Sequence, residues 1–144
     1  MIKVVLSGAP MGKQRVKFSR QSGRAYTPER TVTFESQFAW AAQEAMAGKS
    51  LMEGPLFLEV IAYLPIPESK PLKWKVAARR GEIRPTKKPD FDNILKIVSD
   101  SMNLVVWLDD AQIVDSSFKK FFSDKPRTIA IIGSAPISIP EDFD

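Results

Sequence analysis

From Ile2 to Ser7 the chain is apolar and rich in β-branched side chains, which predicts a strand, and Gly8-Ala9-Pro10-Met11-Gly12 breaks it. Lys13 to Phe18 alternates polar with apolar, and Ser19 to Gly23 reads as a basic loop. From Pro28 to Met46 the period changes: Phe34, Phe38, Ala41 and Ala45 recur every three or four residues, predicting an amphipathic helix. Thr27 is placed to cap it, Pro28 and Glu29 suit its first turn, and Gly48 stops it. Pro55 to Pro65 is the clearest strand. Leu56, Leu58, Val60, Ala62 and Leu64 share one face, while Phe57, Ile61 and Tyr63 on the other predict partial cover on both sides. Pro65-Ile66-Pro67 ends it, and Leu72 to Arg80 reads as a short basic helix closed by Gly81, before extended Ile83 to Thr86. A second main helix is predicted from Asp92 or Asn93 to about Asn103, with Ile94, Leu95, Ile97, Val98 and Met102 on its apolar side. Asn103 to Val106 turns the chain into Trp107. Two strands follow, Ala111 to Phe122 and Arg127 to Ile132, joined through Ser123-Asp124-Lys125-Pro126.

The order is βαβ-α-ββ, with room for further strands in the first loop. It predicts an α+β (mixed α/β) fold: one small domain with a mixed sheet of about four or more strands packed against two main helices. That domain is expected over residues 1–133. Residues 134–144, with Pro136, Pro140 and three acids, form a tail expected to be loosely docked.

Composition narrows the chemistry. The chain has neither cysteine nor histidine, so disulfides, thiolate zinc sites, imidazole ligands and Ser-His or Cys-His catalysis are excluded. What remains is carboxylates, Lys, Ser, Tyr, water and a hard metal. No run approaches the ~18 apolar residues of a membrane span, so no membrane partner is expected. The first residues are too short an apolar run for a secretory signal. Gly12 is not followed by Gly-Lys-Ser/Thr, so no nucleotide cofactor is expected on a phosphate-binding loop.

Net charge is +4 over 144 residues, and its distribution says more than its sum. Lys13 to Arg30 holds six cations, and Lys70 to Lys88 holds eight against the single acid Glu82. Between Asp90 and Asp115 lie six acids and one cation, Lys96. An acidic knot beside basic runs suggests a metal site next to a polyanion surface. Lys13, Arg15, Lys17, Lys73, Lys75, Arg79, Arg80, Lys87 and Lys88 are the cations placed to contact phosphates.

Asp90 and Asp92 flank Phe91 and, if extended, point to one face; Lys96 follows Asp92 by one helical turn. Asp109 and Asp110 would point to opposite sides, so one of them would join the first pair. Three converging aspartates make a hard oxygen site for Mg²⁺, with Mn²⁺ as substitute. Each piece alone has a plainer explanation: a cap, a turn, or an ordinary Asp92–Lys96 helix pair worth ~0.3–0.5 kcal/mol. The combination favours function.

Lys88-Pro-Asp90-Phe-Asp92-Asn93-Ile-Leu-Lys96, then Asp100, then Trp107-Leu-Asp109-Asp110-Ala-Gln112-Ile-Val114, resembles the signature of RusA-like endodeoxyribonucleases, the small Holliday-junction resolvases of bacteria and their phages. The resemblance implies a cytoplasmic homodimer that binds DNA four-way junctions and cuts two strands symmetrically using Mg²⁺. By position it implies metal carboxylates at Asp90, Asp92 and Asp110 and an essential lysine at Lys96, with Asp109 an acidic position of the metal site or its surroundings. Of this chain's apolar residues, those in segment 94–107 are the expected dimer contacts. The Leu72 to Thr86 region and the proline-rich tail depart from the family pattern. Two rivals predict different behaviour. In a non-catalytic DNA-binding protein, Asp90→Asn would change nothing; a metal-dependent nuclease of other branched or duplex DNA would cut without preference for four-way structure.

Overall fold

The computed structural model describes residues 1–137 and 139. Its elements are β1 (Ile2–Ser7), β2 (Lys17–Phe18), β3 (Ala25–Tyr26), α1 (Glu29–Met46), β4 (Leu56–Pro65), α2 (Leu72–Arg79), α3 (Phe91–Met102), a 3₁₀ turn (Asp110–Gln112), β5 (Ile113–Ser123) and β6 (Arg127–Ser134). Four strands form one mixed sheet in the order β1-β6-β4-β5, in which only β4 and β5 run parallel. A separate hairpin, β2 with β3, fills the first loop. The α+β expectation holds, with α2 as a third helix.

Alternation along β4 decides which face is covered. Leu56, Leu58, Val60 and Ala62 are buried, as are Ala130 and Ile132 opposite them on β6 and Val4 on β1. Onto this face pack α1, through Phe34, Phe38, Ala42 and Met46, and α3, through Ile94, Ile97, Val98 and Met102. On the other face Phe57, Ile61 and Tyr63 are half-buried. A parallel pair cannot be joined by a hairpin, so the chain from Pro65 to Ile113 must cross over. That crossover contains α2, the cation-rich Lys70 to Lys88 stretch, α3 and both acidic pairs.

Three local expectations are corrected. Thr27 does not cap α1: the helix opens at Glu29 after Pro28, with no side-chain cap. The second main helix begins at Phe91 rather than Asp92, which leaves Asp90 extended and puts Asp92 in the first turn. The final pair of strands starts later, because Asp110–Gln112 coils into the 3₁₀ turn before β5. Of the apolar residues in segment 94–107, Ile94, Ile97, Val98, Met102, Val106 and Trp107 are fully buried in the core, while Leu104 is exposed. Of the expected tail, Ser138 and residues 140–144 lie outside the described residues, and β6 continues through Ser134. No helix among the described residues is long and apolar enough to cross a membrane.

Candidate active site

Pro89 precedes Asp90, which is extended at φ −73°, ψ 153°, and α3 begins one residue later. The Phe91 ring rests against Phe118 of β5 with centroids 6.1 Å apart. With one side of α3 committed to the core, Asp92 and Lys96 are left outside, and both are exposed. Asp92 lies in the first turn, where the partial positive charge of the helix N-terminus favours a carboxylate. The simple Asp92–Lys96 ion pair does not form among the described residues.

Lys120 joins this group although its sequence context did not single it out. Its Nζ donates to the carbonyls of Lys87 at 2.7 Å and Pro89 at 2.9 Å. Burial pushes its ammonium below the usual lysine range, and the neighbouring Asp90 carboxylate acts against that shift. Arg84 Nε donates to the Lys120 carbonyl at 2.9 Å, with the guanidinium 4.1 Å above the Phe121 ring. The segment from Arg84 to Asp90 is thereby lashed to β5. The available signal was parity: in Lys119-Lys120, residue 120 shares a face with Phe118 and Phe122 and so points toward the helices.

The loop after β1 closes the other side. Lys13 N–H donates to the Asn93 carbonyl at 2.9 Å, and a β-carbon on Gly12 would sit 3.1 Å from that of Asn93 and 3.2 Å from that of Pro89. The Lys13 ammonium pairs with Glu35 and, at 3.4 Å, with Asp100. Between loop and helix lies an open cavity of about 640 Å³, lined among others by Gln14, Arg15, Arg30, Lys88, Pro89, Asp90 and Asn93.

Asp109 and Asp110 are placed by a different anchor. Trp107 is fully buried and its Nε1 donates to Asn103 Oδ1 at 2.7 Å. Gln112 Nε2 donates to the Met52 and Gly54 carbonyls at 3.0 and 3.1 Å, while its Oε1 accepts from Leu108 and Asp109 N–H. Asp109 caps the 3₁₀ turn in return. This turn sits at the Leu56 end of β4, because Leu56 pairs with Ile113, whereas Lys120, beside Asp90, pairs with Ala62. The two acidic pairs are thus separated by about six residues of strand, roughly 20 Å. Within one chain the three aspartates do not converge, and among the described residues no three acidic side chains lie close enough to hold a metal ion. Extended geometry at both pairs, assumed from the sequence, gave way to a helix start and a 3₁₀ turn.

Individually the carboxylates still suit a hard divalent cation. Asp90, Asp92 and Asp109 are exposed, Asp110 is half-buried, and none of them is in an ion pair among the described residues.

The cations divide into groups. Arg15, Arg30 and Lys88 line the Asp90 cavity, with Lys13 at its edge and Lys87 adjacent; Arg30 was not singled out from the sequence. Lys17 is exposed on the β2–β3 hairpin. On α2, Lys73 is exposed, Arg79 bonds Asp124 at 2.7 Å, and Lys75 lines the same cleft as that pair, with Arg80 following the helix.

The model of the family described as Endodeoxyribonuclease RusA matches residues 7–132, covering every element that builds the cavity. An uncharacterized protein of Bacillus subtilis (strain 168), YqaN, is 33% identical over 135 residues, spanning 91% of this chain and 94% of its own length. The family comprises divalent-metal-dependent endonucleases that act on branched DNA. With an exposed carboxylate pair set among cations and the match running through all of them, this chain belongs to the RusA endodeoxyribonuclease family.

Proposed function

We propose that the chain is a homodimeric endonuclease that resolves four-way DNA junctions by paired, Mg²⁺-dependent phosphodiester hydrolysis, with Mn²⁺ as substitute. The observation that carries this reading is the cavity that Asp90, in no ion pair among the described residues, lines together with Arg15, Arg30 and Lys88. Asp90, Asp92 and Asp110 are the metal carboxylates. The chemistry that a bound Mg²⁺ supplies is a water of lowered pKa and a polarised scissile phosphate. Lys96 stabilises negative charge growing on the phosphate oxygens. Lys120 holds Asp90 in place through the Lys87 and Pro89 carbonyls. Arg15, Arg30, Lys87 and Lys88 hold neighbouring phosphates, giving affinity and salt dependence without sequence readout.

The separation of the two acidic pairs gives the dimer a chemical purpose. In this reading, a two-fold partner supplies the Asp109–Asp110 turn to the Asp90–Asp92 pair, and receives the same in return. Exposed Phe91, Leu104, Leu108 and Val114 flank the two pairs and support an interface along the α3–β5 edge.

The test compares a labelled four-way junction with matched linear duplex, in Mg²⁺ or EDTA, using wild type and Asp92→Asn. The expected result is paired nicks in the junction alone, absent in EDTA and lost in the variant while binding persists. Junction binding without cutting under any divalent metal would leave a binding module. Equal cutting of duplex would keep the metal site and discard the resolvase.

A further inference from the structure

Next to the Asp90 cavity is a second cleft of a different character, about 320 Å³, at the C-terminal ends of β4 and β5. Trp74, Phe122, Leu64, Ile83 and Pro85 give it apolar walls, while Lys70, Arg84, Lys87 and Lys88 bring cations to it, and no acidic side chain among the described residues lines it. Lys88 lines both cavities. The cleft is preformed: the Trp74 ring stands edge-on to Phe122 with centroids 5.3 Å apart, and Arg84 is fixed by Phe121 and the Lys120 carbonyl. The Lys70 ammonium sits 5.2 Å from the centroid of the Trp74 ring.

An apolar, aromatic slot ringed by cations matches one chemical group of a nucleic acid: a nucleobase carried on its phosphodiester backbone. In a stacked duplex no base is available to such a slot. At a branch point, bases beside the strand exchange can leave the stack at lower cost. We propose that this cleft is a nucleobase subsite, which receives one unstacked base next to the phosphate held at the Asp90 cavity. The inference rests on the proposed junction-cutting function. Lys70 covers the indole in the free chain, and its flexible stem lets the ammonium move to a phosphate and free the ring for the base. The subsite is built on α2 and the stretch after it.

The test is a binding cycle in EDTA. Wild type, Trp74→Leu and Trp74→Phe are each bound to an intact junction and to junctions carrying a single abasic nucleotide, moved one position at a time through the exchange point. One abasic position should weaken wild-type binding roughly tenfold, in line with the loss of one base–aromatic stack. Trp74→Leu should bind the intact junction roughly tenfold more weakly and be indifferent to that same position. Trp74→Phe, which keeps a ring, should retain most of the position dependence, and Trp74→Leu should show the same circular dichroism as wild type, so that its result is not a folding defect. Equal abasic penalties in wild type and Trp74→Leu, on a junction that is bound and cut, overturn the subsite alone. A folded wild-type chain that binds no junction overturns the proposed function and the subsite with it.

Discussion

At the scale of single side chains, Lys13 and Lys120 are the two lysines whose surroundings are built. Burial alone would lower the Lys13 pKa, but Glu35 and Asp100 more than offset it and pull the ammonium above the ordinary 10.5. The stability from that charge is therefore complete below pH 10.5 and is lost as pH rises through the folded-state value. Lys13→Met should cost about 1.5–3 kcal/mol by urea unfolding at pH 8, the range for hydrogen bonds to charged groups. The gap to wild type should narrow in the alkaline range above 10.5; a gap constant with pH would mean that the methylene stem, and not the charge, matters. Lys120→Met should leave the Lys87 and Pro89 carbonyls without their donor and let Asp90 drift. Junction cleavage should fall about 10- to 100-fold, as for other partners that orient a metal ligand, with junction affinity in EDTA unchanged and partial recovery in Lys120→Arg. Asp90, Asp92, Lys96 and the Asp109-Asp110 pair stand out in the sequence as candidates because of their residue types and spacing. Lys120 was not, because a lysine in a strand shows its role only when its neighbours are known.

At the scale of elements, sequence periodicity located every main helix and strand, and the errors fell at their ends. Those ends carry the site, so the errors mattered. Starting α3 at Phe91 turns the expected extended Asp-x-Asp into one extended residue and one helical residue, with the Phe91 ring beside Phe118 across the fold. No local pattern encodes that contact. The same holds for Gly12, which reads as a simple breaker but permits the loop after β1 to lie against Pro89 and Asn93. In Gly12→Ala the new methyl meets two β-carbons fixed to backbone, at 3.1 and 3.2 Å. The loop or α3 must give by a few tenths of an ångström, at a cost of about 1–3 kcal/mol if overpacking sets the scale. Thermal unfolding should show the loss and junction cleavage should fall with it. An unchanged melting temperature would mean that the loop yields freely.

At the scale of the whole molecule, the parallel β4–β5 pair places one acidic pair at each end of α3, roughly 20 Å apart on the strand spacing. This was not legible in the sequence, where the pairs look like parts of one motif, because the distance depends on how the crossover is laid along the sheet. The proposed dimer makes a definite prediction for mixtures. Asp92→Asn and Asp110→Asn should each be inactive as pure proteins. Mixed and re-equilibrated, they should recover single nicks in the junction, because each heterodimer then has one site with both intact pairs. No recovery, with subunit exchange demonstrated, would place all three carboxylates of a site on one chain. The spacing also bears on control by abundance. A nuclease whose cutting centre needs two chains is silent when dilute, and its activity in that range rises with the square of its concentration. For the proposed dimer, a twofold rise in chain concentration in that range would raise cutting about fourfold.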